Sequence, residues 1–141
     1  MLSKDDLTAL TIGAAIRIHQ TIGPGLLESV YELLLAEELR RAGLSVVRQQ
    51  SVNFVYNNIE FNNGFKVDLL IENRLIVEVK SMEVIKPVHK KQVLTYLRLM
   101  KLPVALLLNF GCETLKEGLT RIVNDLDPRE STLLVVNHVQ S

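Results

Sequence analysis

The sequence predicts an α/β or α+β domain, a mixed sheet with helices packed on it, and three observations carry that expectation. Two segments near the start repeat apolar residues every three or four positions. From Ser45 the apolar period shortens to two. A strand-length apolar run, VALLLN, then follows a third amphipathic segment. At 141 residues the chain suits one domain. A domain of this size buries roughly two thirds of the surface its unfolded chain exposes, so it needs no disulfide or metal staple.

Ser3 is placed to cap the first helix, with Asp5 and Asp6 at the positive end of its dipole. Leu7, Leu10, Ala14 and Ile18 form its apolar stripe, and Gly23-Pro24-Gly25 ends it near Thr21. That triplet reads as a helix–helix turn and not as a phosphate loop, because no strand precedes it. A second helix is expected over 26–42, with Leu27, Val30, Leu34, Leu35 and Leu39 on one face and Gly43 closing it. Val46–Tyr56 reads as one or two strand pieces, Asn57-Asn58 as a turn, 59–61 as a short strand and Asn62-Asn63-Gly64 as another turn. Strands follow at 65–71 and 75–80, joined at Glu72-Asn73-Arg74. Pro87 opens a third helix over 88–100, and Leu102-Pro103 breaks it. With Val104–Asn109 as a buried strand, the strand–helix–strand order predicts a right-handed parallel crossover. Residues 115–124 fit either a helix or a strand, Gly118 arguing against a helix centre, and 131–139 reads as a last strand.

Sixteen basic and sixteen acidic residues cancel, so no global field attracts nucleic acid. Locally, Arg74, Lys80, Lys86, Lys90, Lys91, Arg98 and Lys101 stand against only Glu78 and Glu83. Such a stripe suits a polyanion partner or an ordinary solvated helix face. No apolar run approaches the ~20 residues that span a bilayer. The first residues, MLSKDDLTAL, carry acids where a secretory signal carries bases. The expectation is an intracellular, cytoplasmic protein with no membrane partner. The single cysteine, Cys112, excludes an internal disulfide and a multi-cysteine zinc site. The apolar stretch 133–136 is suited to finish the sheet or to pair with another chain through an edge, as in a homodimer.

Asp68, Glu78 and Lys80 interrupt strands that are otherwise apolar, where charge is costly. Glu78 and Lys80 are two apart and share a face. A two-residue loop at Asn73-Arg74 would pair Asp68 with Val79 and put it on the opposite face from Glu78. A three-residue loop, Glu72-Asn73-Arg74, would pair Asp68 with Glu78 and Lys66 with Lys80; it needs a left-handed residue, which Asn supplies. A bulge has the same effect on register. We expect the odd-length loop or a bulge. Two carboxylates held opposite each other repel and raise one pKa. A divalent cation removes that conflict, and Mg²⁺ takes carboxylate, water and phosphate oxygens. Lys80 on the same face would steer or deprotonate a water, giving a metal-assisted phosphodiester hydrolase. The same D-x9-E-x-K spacing also fits two half-exposed strands whose charges face water.

The segment GLLESVY (25–31) carries a G-x-x-E-x-x-Y pattern. With IHQTIGPGLLESVYE, GFKVDLLIENRLIVEVK and HKKQVLTYLRLMKLPVALLLNFG, it makes residues 8–124 resemble the GxxExxY protein family, which is assigned to the PD-(D/E)XK nuclease superfamily. The resemblance implies a restriction-endonuclease-like αβββαβ core in a single domain, 1–141. It implies that Asp68 and Glu78 bind Mg²⁺ (or Mn²⁺), that Glu28 assists the metal, often through water, and that Lys80 positions the attacking water. Gln92 and Tyr96 match a Q-x-x-x-Y helix motif of the exonuclease-like branch, which implies that Gln92 lies near metal and phosphate and Tyr96 supports the site; four residues apart, they share a helix face. His89 lies on or near that face and is placed to touch a phosphate. Val67 replaces the named Pro. Lys66 stands where similar proteins often have Arg, and an ammonium lacks the bidentate fork of a guanidinium.

Each of these residues also has a plain structural role open to it. Glu28 suits a helix dipole, Tyr31 suits the core, Gln92 and Tyr96 suit internal hydrogen bonds, and His19 and His89 suit ordinary packing. The function expected is a Mg²⁺-dependent nuclease acting on DNA or RNA. The alternatives are a non-catalytic interaction or regulatory protein that kept the fold, and a phosphohydrolase of small nucleotides.

Overall fold

The computed structural model describes residues 1–125 and 134–138. Helices α1 (Lys4–Ile22) and α2 (Glu28–Arg41) lead into strands β1 (Val46–Tyr56), β2 (Ile59–Ile71) and β3 (Leu75–Lys80). Helix α3 (Pro87–Met100), strand β4 (Val104–Asn109), one helical turn α4 (Leu115–Gly118) and strands β5 (Leu119–Val123) and β6 (Leu134–His138) follow. Among the described residues the strands form one sheet, ordered β5-β4-β3-β2-β1-β6. β3 and β4 pair in parallel across α3, as the strand–helix–strand order predicts, and the other neighbours pair antiparallel. No helix among the described residues is long and apolar enough to cross a membrane.

The helix starts follow from local chemistry. Ser3 Oγ accepts from Asp6 N at 3.0 Å and the Asp6 carboxylate reaches back to Ser3 N, a capping box. α2 begins at Glu28, two residues later than expected, because Leu27 is extended and serves as its cap residue. The loop between α1 and α2 hangs on one side chain. Tyr31, fully buried and stacked 4.4 Å from Phe110, donates from its hydroxyl to Gly23 O (2.7 Å) and accepts from Leu26 N (3.1 Å). The Tyr of GLLESVY is therefore spent on folding, by shaping the loop that sets the start of α2.

Two apolar clusters sandwich the sheet. Leu7, Ala14, Ile18, Leu35 and Leu39 of the first two helices pack on Leu75, Val77 and Val79 of β3 and on Leu106 and Leu108 of β4. Val93, Leu97 and Met100 of α3 pack on the other face, against Leu70, Ile76, Ala105 and Leu107. Alternation along β3 thus sends odd positions toward α1 and α2 and even positions toward α3. Each fully buried aliphatic side chain contributes about 1.5–3 kcal/mol relative to exposure.

Two local expectations change. Asn62-Asn63-Gly64 is no turn, since β2 runs unbroken from Ile59 to Ile71. The Asn signal marks a bulge instead: Asn63 has φ 54°, its N–H donates to Asn53 Oδ1 at 2.7 Å, and the register with β1 shifts between Val52 and Phe54. Residues 115–124 hold both of the alternatives, a helical turn and then strand β5. Gly118 sits where a Cβ would run into the Asn109 carbonyl, so close backbone approach is what requires glycine there. The strand expected over 131–139 is seen at Leu134–His138 on the edge of β1, and the remainder lies outside the described residues.

Candidate active site

The geometry starts at the β2–β3 loop. Ile71 pairs with Leu75, Leu70 with Ile76 and Leu69 with Val77, so the loop is the three residues Glu72-Asn73-Arg74. Both Glu72 (φ 52°) and Asn73 (φ 54°) are left-handed, and Arg74 N donates to Ile71 O at 3.0 Å. Glu72 tolerates that conformation because Ser45 holds it twice: Glu72 N donates to Ser45 O (2.8 Å) and Ser45 N donates to Glu72 Oε2 (3.1 Å). This odd-length loop brings Asp68 level with Glu78.

At that level the strand pairing stops and the carboxylates take over. Val79 N donates to Asp68 Oδ2 at 2.8 Å, and Asp68 N donates to Glu78 Oε2 at 3.3 Å. β1 breaks at the same height. Arg48 pairs with Leu69 and Gln50 with Val67, but Gln49 between them is left-handed, with φ 51°. The break shifts the alternation of β2: Leu69 packs toward α1 and α2, whereas Val67 and Phe65 pack toward α3. Asp68 stands at the switch.

Glu78 is 6% exposed and faces the α3 side with Ile76. Burial, first, and then the neighbouring Asp68 carboxylate push its pKa up to about 10, opposed by the hydrogen bond from Asp68 N and by Lys80. Tyr96 faces the same two acids from α3. Its phenol is pushed upward by burial and then by the charges of Glu78 and Asp68, and its ring stacks on Phe65 with centroids 4.5 Å apart. Lys80, half-buried, lies two residues beyond Glu78 on the same side of β3, opposite Asn109 of β4.

A family model of the PD-(D/E)XK nuclease superfamily matches residues 5–122, which include every residue of this arrangement. The chain belongs to the PD-(D/E)XK nuclease superfamily. No curated protein and no solved structure matches it. The αβββαβ order from α2 to β4 fits the superfamily core. PD-(D/E)XK nucleases typically use divalent metal ions, and the residues here suit one. Asp68 and Glu78 offer hard oxygen donors side by side, joined through the backbone N–H groups of Val79 and Asp68.

The remaining expected residues spread around the Asp68–Glu78 pair. Glu28 opens α2, is exposed, and its Oε1 accepts from Ser81 N at 3.3 Å, one residue past Lys80. It does not join the two acids: among the described residues no three His, Cys, Asp or Glu side chains lie close enough together to hold a metal ion. Glu28 instead lines a groove of about 760 Å³ with Leu26, Ser81, Met82 and Gly111, a groove that Asp68 and Glu78 do not line. Gln92 is exposed on α3, one turn before Tyr96. His89 caps its own helix, with Nδ1 accepting from Lys86 N at 3.0 Å, so Nε2 is the nitrogen left to face a ligand. Lys66 departs from expectation. The β2–β3 pairs end at Leu69 and Val77, so Lys66 does not pair with Lys80, and because its neighbours Phe65 and Val67 pack toward α3, it projects to the other face. The break at Asp68, invisible to a simple alternation, is the reason.

Sequence reasoning passed over Glu32, Gln49 and Asn109. Glu32 is buried one turn after Glu28, in an ion pair with Arg48 (2.9 Å). Asn109, fully buried, accepts from Met82 N and Gly111 N and donates to Met82 O, which ties the chain after Lys80 to the end of β4. A polar residue at the end of an apolar run such as VALLLN was the available signal.

Proposed function

We propose that this chain is a divalent-metal-dependent nuclease of the GxxExxY branch that hydrolyses phosphodiester bonds in nucleic acid. The observation that carries the reading is the pairing of Asp68 and Glu78 at the point where β2 and β3 part, with Lys80 on the side of Glu78 and Tyr96 opposite. A bound Mg²⁺ or Mn²⁺ supplies Lewis-acid stabilisation of the charge that develops on phosphate. Asp68 and Glu78 would hold it through their carboxylate oxygens. Lys80 holds the attacking water and offers its ammonium to the phosphate. Glu28 orders water from the rim. Tyr96 fixes the wall against which the backbone lies. Gln92, His89 through Nε2, the exposed cap residue Lys86, and the exposed Lys90 and Lys91 on the first turns of α3 meet flanking phosphates.

One observation favours a second reading, a non-catalytic interaction protein. Asp68 and Glu78 already satisfy backbone N–H groups of the parted strands, a structural task they perform without a ligand. Calorimetric titration with Mn²⁺ on the wild type and on Asp68→Ala separates the two. The nuclease reading expects binding that Asp68→Ala abolishes, with cleavage of single-stranded DNA, double-stranded DNA or RNA lost in parallel. Identical titrations would sink it.

A further inference from the structure

Gln49 occupies a conformation that a strand residue avoids. It is not glycine, its φ is 51°, and it stands between two regular pairs of the β1–β2 ladder. Its side chain uses what that twist provides. Nε2 donates to Glu32 Oε1 at 2.6 Å and to Asp68 Oδ1 at 3.3 Å. Between two carboxylates, which only accept, the NH₂ end of the amide is the end that fits, and both of its hydrogens are used. Glu32 is in turn fixed from behind, its Oε2 accepting from Arg48 Nε (3.2 Å) and Nη2 (2.9 Å). A buried carboxylate without such a partner would be costly, so the Arg48–Glu32 pair is a stiff anchor.

We propose that Gln49 is a positioning residue for Asp68: hung from Glu32, it fixes the Asp68 carboxylate for metal, and its left-handed backbone opens the sheet at that height. The inference rests on the metal-site reading above and goes beyond it by naming the device that sets the Asp68 rotamer. Oδ2 is held by Val79 N and Oδ1 by Gln49, so both oxygens are aimed before any ion arrives.

Gln49 is solvent-exposed, so replacing it opens no hole in the core. The test uses Gln49→Gly and Gln49→Asn, both tolerant of a left-handed backbone and both unable to span Glu32 to Asp68. Each is compared with wild type and Asp68→Ala by Mn²⁺ calorimetry and by thermal melting without metal. We expect both variants to melt close to the wild type yet to bind Mn²⁺ at least about tenfold more weakly. A residue with a purely structural role would move the melting temperature and leave the affinity of the folded protein alone. Affinities less than about tenfold weaker in both variants overturn the inference while the metal site stands. Wild type and Asp68→Ala binding Mn²⁺ alike would overturn the metal site itself, and this inference with it.

Discussion

The β2–β3 hairpin has two ends built on opposite rules. At the loop end, Leu69, Leu70 and Ile71 pair with Val77, Ile76 and Leu75, every side chain is buried, and backbone hydrogen bonds follow the regular ladder. At the open end, one residue further along each strand, that pairing stops and carboxylates take its place. The loop end is a device for stability. The open end surrenders regular pairing to hold two acids side by side in a partly dry setting. The difference teaches that the hairpin's register, set by an odd-length loop, is what the site depends on. The apolar pairs make that register hard to slip, since a one-residue shift would turn Leu69 and Val77 out of their cluster.

The largest expected effect is at the open end and is read through pH. Without metal, folded Glu78 keeps its proton up to about pH 10, whereas the unfolded chain releases it near 4.5. Between those values the folded state binds more protons at Glu78, so the stability this group contributes is fully present below about 4.5 and is lost as pH rises toward 10. Urea melts of metal-free protein from pH 5 to 9 should lose stability on the order of 5 kcal/mol, and Glu78→Gln, which has no proton to lose, should flatten the profile. An unchanged slope in that variant would place the buried acid elsewhere. The next effect belongs to the loop end. Leu69→Ala, at a fully buried position, should cost about 3 kcal/mol of stability while metal affinity of the folded protein holds. If affinity fell with stability, the two ends would not be separable. The smallest effect is expected in the loop itself. Asn73→Gly keeps a left-handed position that Gly also accepts, so stability should change by less than about 1 kcal/mol, read by thermal melting, with metal affinity unaltered.

Much of the fold was legible because it rests on local periodicity. The stripes of α1, α2 and α3, the proline at the start of α3 and the VALLLN strand all follow from spacing and turn chemistry. The site was legible in part. Asp68, Glu78 and Lys80 stood out as charges in apolar strands, and the three-residue loop was required if the acids were to meet. Lys66 was misplaced because alternation was carried straight through Asp68, where the strand in fact switches faces. Asn62-Asn63-Gly64 carries a turn signal in the sequence because a bulge and a turn use the same residues for the same left-handed backbone. Gln49 and Glu32 were missed because their meaning lies in a contact between α2 and β1, which no spacing in the chain encodes.

Taken alone, the amino-acid order determined the three long helices and the β3 and β4 strands, that Glu78 and Lys80 share a face, and that Tyr31 follows Glu28 by less than a turn. These are consequences of periods of 3.6 and 2, which every local stretch must obey. Only the tertiary structure decided that β1 and β2 break together at Gln49 and Asp68, that Glu28 stays at the rim while Glu32 is buried, and that Glu78 holds its proton. Those outcomes come from burial and from charges brought together by distant parts of the chain, and neither exists until the sheet and its two helical layers have packed.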